Sequence, residues 1–203
     1  MKKIILLYTT FLFVFTSCKK DSGSSNSSPD ALSGTWKFTS LNAQTEATDE
    51  YNVSGDDFKY VTTSDYNSEN AAGTITFSGG TATSTAVSYS VDTFAYVTSY
   101  ENNVFIETDT APLSVTIPSA SSVATYKIIG TDSVFFANGF VTSTDLSGGA
   151  PQPATPSGYK FHITGNVLTM TSAIVKDTTQ DVGGGILAQV HENANLNVIL
   201  TKQ

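Results

Sequence analysis

The sequence predicts an all-β fold: a single antiparallel meander closed into a β-barrel of about eight to ten strands, with a two-layer β-sandwich as the alternative. Three observations carry this expectation. Apolar and polar residues alternate with a period of two in run after run. Glycine-centred turns separate neighbouring runs. No segment of ten or more residues carries a helical apolar stripe. Closure is preferred to an open sheet because it removes exposed strand edges.

The elements follow in order. In "GTWKFTS", Trp36 and Phe38 point one way while Lys37 and Thr39 point the other. Residues 42–57 are acidic and lack alternation, so a long loop or a short helix is expected there. Then come three hairpins. "TITFSGGTATSTAVSYSV" turns at Gly79-Gly80, with Ile75 and Phe77 on one face and Val87, Tyr89 and Val91 on another. "ATYKIIGTDSVFFANG" turns at Gly130-Thr131-Asp132, and "GYKFHITGNVLTMTS" at Gly165-Asn166. Between the first two lies "PLSVTIP", in which Leu113, Val115 and Ile117 share a face. Pro112 and Pro118 bracket that run, which marks a short or edge strand, because proline cannot donate to a ladder. Residues 143–158 carry three prolines and three glycines and read as an exposed loop. "DVGGGIL" reads as a bend before a strand. The C-terminus is expected to give a last pair, with Ile186, Ala188 and Val190 on one strand, Leu196, Val198 and Leu200 on the next, and "ENAN" as the turn.

The N-terminus is organised differently. Lys2 and Lys3 precede a thirteen-residue run without charge, Ile4 to Thr16, and small residues follow. That is the layout of a secretory signal over residues 1–17. The run is shorter than the ~20 apolar residues that cross a membrane. Residues 18–31 are Ser-, Gly- and Asn-rich and read as a flexible tether, leaving 32–203 as one domain. Cys18 is the only cysteine, so it has no internal disulfide partner. Phe15-Thr16-Ser17-Cys18, followed by Lys19-Lys20-Asp21, resembles the signal of bacterial lipoproteins, and "SCKKD" is similar to those of Bacteroidota-type bacteria. The resemblance implies cleavage before Cys18, acylation of Cys18, and anchoring in the outer membrane. In the lipoproteins it resembles an acidic run after the cysteine can mark export to the cell surface; with only Asp21 acidic here, the resemblance implies the periplasmic side.

Composition excludes some partners. The net charge of −8 becomes about −10 once Lys2 and Lys3 leave with the signal, and the chain has no arginine. Such a domain is unsuited to nucleic acid or phosphorylated ligands.

"LSGTWKFTS" opens the folded part, and its Gly34-x-Trp36 pair resembles the start of lipocalin-like, or calycin-type, domains. "YKFHITGNVLTMT" is similar to a late hairpin of the same family. The resemblance implies an up-and-down barrel with Trp36 closing one end and Gly34 allowing close chain approach beside it. The family's arginine over that tryptophan has no counterpart in a chain without arginine.

Chemistry is sparse. His162 and His191 are the two histidines, and a metal site takes three or four ligands, so neither a metal nor another cofactor is expected. No Gly-x-Ser-x-Gly elbow appears, and the carboxylates are scattered, so the chain reads as non-enzymatic. A hydrolase would need one of the histidines beside a carboxylate in a cleft. Nine tyrosines and twelve phenylalanines are the remaining lead. Phe38, Tyr89, Phe94, Tyr96 and Tyr100 are the candidate lining of a pocket for a small apolar or amphipathic ligand. The alternative is a structural or interaction lipoprotein with a filled core. A monomer is expected.

Overall fold

Strand-forming alternation extends further than the sequence suggested. The computed structural model describes residues 31–138 and 156–203, and among these there is no α-helix. Nine strands follow one another: β1 Gly34–Val53, β2 Asp56–Asn67, β3 Glu69–Ser78, β4 Thr81–Glu101, β5 Val104–Ile129, β6 Ser133–Phe136, β7 Ser157–Thr164, β8 Val167–Asp181 and β9 Leu187–Lys202. All pair antiparallel in one sheet rather than in the two of the alternative. The signal segment 1–17, Cys18, the tether through residue 30 and residues 143–155 of the proline-rich stretch lie outside the described residues.

The sheet closes on itself at one end. The start of β1, Gly34 to Lys37, pairs with β3, while its length from Trp36 to Glu50 pairs with β9. Hydrogen bonds therefore run round β1, β3, β4, β5, β6, β7, β8 and β9 back to β1, a ring of eight strands. β2 lies outside that circuit. It bridges the outer half of β1, from Asn42 onward, to the outer half of β4, from Ala95 to Glu101. Beyond the ring the sheet flares into an arm. There β5 meets only β4 from Val104 to Thr125, and β8 meets only β9 from Ser172 to Asp181. Both stretches are open edges among the described residues.

Three of the expected hairpins are present: β3–β4, β5–β6 and β7–β8, turning where glycines adopt positive φ at Gly79-Gly80, Gly130 and Gly165. Other expectations are corrected. Residues 42–57 are neither loop nor helix: β1 runs on to Val53 and turns at Ser54-Gly55 into β2. Pairing with β2 and β9 on both sides outweighs the weak strand propensity of its Asn, Asp and Glu residues. "ENAN" is not a turn, because β9 passes straight through it with Asn195 opposite both Gln44 and Ala173. The last turn is instead at Gly183-Gly184-Gly185, between β8 and β9. The run bracketed by Pro112 and Pro118 is not short. It is the middle of the 26-residue β5, and its far side is an open edge.

The ring is filled. Trp36, Phe38, Ile75, Phe77, Val134, Phe136, Leu168, Met170, Val198 and Leu200 are each at most 1% exposed. Burying a large apolar side chain contributes about 1.5–3 kcal/mol. Edge-to-face ring pairs add about 0.5–1.5 kcal/mol each. Here Phe77 meets Tyr126 at 5.4 Å and Phe136 meets Tyr159 at 5.8 Å. Around this apolar floor the buried hydroxyls of Thr45, Ser64, Ser84 and Ser172 are all hydrogen-bonded. Thr45 and Ser64 share a 2.6 Å hydrogen bond, Ser84 and Ser122 one of 2.7 Å, and Ser172 donates to the Gly158 carbonyl at 2.7 Å.

Candidate functional site

Gly34 and Trp36 sit at the closed end. Gly34 has φ +122°, a conformation that L side chains rarely adopt. Trp36 is fully buried, and its indole N–H donates to the Leu32 carbonyl at 2.7 Å. The Lys202 ammonium lies over the indole, 5.4 Å from the ring centroid, so a lysine from the last strand places a cation on the tryptophan in this arginine-free chain.

The five aromatic candidates divide between two faces. Phe38 and Tyr89 are core residues, 0% and 5% exposed, with ring centroids 5.9 Å apart. On β4 the inward positions are Tyr89 and Val91, so Phe94, Tyr96 and Tyr100 have the opposite parity and face away from the core. Phe94 and Tyr96 are half-exposed, and Tyr100 meets Phe105 edge-on at 6.1 Å. Burial pushes the phenols of Tyr66, Tyr89 and Tyr159 above their ordinary pKa, and Tyr66 and Tyr159 add to the effect on Tyr89.

The histidines lie apart from any cleft described. His162 is exposed on β7. His191 pairs with Asp177 across β8–β9, Nδ1 to Oδ1 2.5 Å, on an open face with side chains 47% and 78% exposed. Among the described residues no group of three or more His, Cys, Asp or Glu is placed to hold a metal.

A groove of about 720 Å³ draws on none of those residues. It runs across the outside of the sheet, and two cross-strand rows build it. In the first row Ile129 stands opposite Ser133, Ser133 opposite Lys160, Lys160 opposite Thr171, Thr171 opposite Asn197 and Asn197 opposite Asn42. In the second, Phe135 stands opposite Gly158, Ala173 opposite Asn195, Asn195 opposite Gln44 and Gln44 opposite Asp65. Ala43, Val134, Tyr159, Ser172 and Leu196 complete the lining as the intervening residues, whose side chains alternate to the core side. A closed, twisted sheet is saddle-shaped, and this makes its outer wall concave along the strands.

The groove wall is polar at one end and apolar at the other. The amides of Asn42, Gln44, Asn195 and Asn197 stand together, Gln44 donates to Asp65 at 3.3 Å, and Asn42 bonds Asn67. Ile129 and Phe135, 54% and 39% exposed, form the far end. Asn197 Oδ1 is buried without a hydrogen-bond partner. Sequence reasoning missed this site. The one signal was the alternation Asn42-x-Gln44 and Asn195-x-Asn197, which sets two amides on one face of each strand.

A second concavity, of about 440 Å³, lies at the tip of the arm, where Tyr51 stacks on Phe58 at 5.6 Å and Lys59 pairs with Glu50 at 3.0 Å. Compared with known proteins, the chain matches no family model, no curated protein and no solved structure.

Proposed function

We propose that this chain is a non-catalytic, lipid-anchored binding protein of the bacterial outer membrane, facing the periplasm, which carries a small amphipathic ligand on a lipocalin-like barrel. The observation that carries the reading is the outer groove of about 720 Å³, with amides at one end and Ile129 and Phe135 at the other. Sites of this size that combine apolar surface with a few placed polar groups are the usual form of a small-molecule site. The ligand lies on the outer wall, because Trp36, Phe38, Phe77 and Phe136 already occupy the ring. The barrel reading is supported by the eight-stranded circuit and by Trp36 at its closed end under Lys202. The anchor rests on Cys18 and the basic, apolar and small segments before it.

Native mass spectrometry of the chain purified from its own host tests both parts. A retained small molecule and an acyl adduct on Cys18 are expected. A bare polypeptide with a free thiol would sink the proposal.

A second reading, an interaction lipoprotein, is favoured by one observation. The open edge of β5 begins with three consecutive exposed apolar residues, Val104, Phe105 and Ile106. Such an edge accepts an added strand from a partner. Cross-linking that traps a partner at Val104–Ile106 while the groove binds nothing would favour it.

A further inference from the structure

The lining of the groove defines its ligand more narrowly than size does, given the binding reading above. We infer that the groove takes a neutral, hydroxyl-rich chain, that is, an oligosaccharide. Four amide side chains converge from β1 and β9, at Asn42, Gln44, Asn195 and Asn197. An amide carries a carbonyl acceptor and an NH₂ donor side by side; Asn42 and Gln44 each give one N–H to Asn67 and Asp65 and keep the carbonyl and the second N–H for a ligand. Adjacent sugar hydroxyls, each able to donate and accept, match that pairing; a fatty chain or a carboxylate does not. Asn195 is exposed in the groove with no side-chain partner among the described residues, so its amide is open to a ligand.

Independent support comes from Asn197 Oδ1. A buried acceptor without a donor is costly and rare in a settled structure. A rotation of the Asn197 side chain that turns this oxygen into the groove, to accept from a ligand hydroxyl, removes that cost on binding. At the other end, Phe135 is half-exposed on the outer face, where an aromatic ring stacks against the C–H face of a sugar ring. One cation and one anion, Lys160 and Asp65, balance within the lining, and no charge cluster selects an ionic ligand. Strands lie about 4.8 Å apart, so a path from β5 to β2 across six strand gaps measures roughly 29 Å along the wall. That length suits an extended chain of several rings rather than one sugar.

The test applies the full-length chain to a printed array of neutral oligosaccharides, covering glucans, mannans, xylans and chitin-type chains, and follows the strongest hit by calorimetry. Lauric acid is titrated in parallel. Variants Asn197→Leu, Gln44→Ala and Phe135→Ala are compared with Thr98→Ala on the arm. Binding of a neutral chain, weakened at least tenfold by Asn197→Leu and by Phe135→Ala and unchanged by Thr98→Ala, is the expected result. Asn197→Leu is near-isosteric and removes the orphaned acceptor, so its melting temperature is expected to hold or rise while affinity falls. Sugar binding that all three groove variants leave intact overturns the assignment of the site. Lauric acid binding lost in those variants, with no sugar bound, overturns the ligand class but leaves the groove as a binding site. Binding of neither probe overturns both.

Discussion

Two glycines with nearly the same positive φ differ in what surrounds them, which allows a close-packing cost to be compared with a conformational one. Gly73 in β3 has φ +99° and Gly55 in the β1–β2 turn has φ +102°. Either becomes strained when replaced by alanine, at about 1–3 kcal/mol. A Cβ at Gly55 meets nothing within 4 Å. A Cβ at Gly73 lies 2.6 Å from Ala86 O and from the Val87 Cα and N. These are backbone atoms of a bulge in β4, where the register slips between Ser88 and Thr85 and Ala86 itself sits at φ +52°. They have no flexible end to swing aside. Overpacking of this kind adds about 1–3 kcal/mol. Gly73→Ala is therefore expected to destabilise by about 2–6 kcal/mol, and to exceed Gly55→Ala by about 1–3 kcal/mol. For a chain of this size each kcal/mol moves the melting temperature by roughly 2–4 °C, so the two variants should melt roughly 2–12 °C apart. Thermal unfolding followed by circular dichroism, with urea unfolding to check that m is unchanged, reads this directly. Equal destabilisation by the two substitutions would refute the contact argument.

Three further outcomes are expected. Trp36→Phe leaves the Leu32 carbonyl without its donor and opens space beside Lys202, at a cost of about 2–4 kcal/mol by urea unfolding; a loss below 1 kcal/mol would show that the closed end does not depend on the indole. In an alkaline titration of phenolate absorbance, Tyr66, Tyr89 and Tyr159 should ionise later than the exposed tyrosines. Their folded pKa values lie above the unfolded value, so the native state holds protons that the unfolded chain releases, and stability should fall as pH rises through about 10. A single transition near the ordinary value with the fold intact would contradict their burial. Finally, Pro112→Val with Pro118→Val restores donors on the open edge of β5, and sedimentation should show new oligomers at concentrations where the parent chain shows none.

Much of the fold was legible because the core writes itself along each strand. The pairs Trp36/Phe38, Ile75/Phe77 and Leu168/Met170 all alternate with exposed or half-buried residues, and all are at most 1% exposed. Glycines at positive φ, at Gly79-Gly80, Gly130 and Gly165, marked three of the hairpins for the same local reason. Strand length was not legible. β1 continues from Leu41 to Val53 through a stretch with little apolar content, and neighbours on both sides hold it extended. On one side that support comes from β9, more than 100 positions away, which no local window contains.

The groove escaped notice for a reason tied to how it is made. Its rows run perpendicular to the strands and collect one residue from each of several, so no spacing along the chain announces them. Asparagine has low strand propensity and is common in turns, and this is why the stretch holding Asn42 and Gln44 reads as a loop and the one holding Asn195 as a turn. The structure holds these amides on interior strands, with Asn42 paired to both β2 and β9, and Asn195 and Asn197 to both β1 and β8. A threonine or valine would suit each position better if stability alone set the residue. Local preference and global fold disagree at the positions where the amides converge and where Asn197 keeps a buried oxygen unpaired. Conflict of that kind concentrates at working sites, because binding groups are kept there against the demands of folding. The same residues that defeat a strand assignment are therefore the ones from which the ligand class is argued.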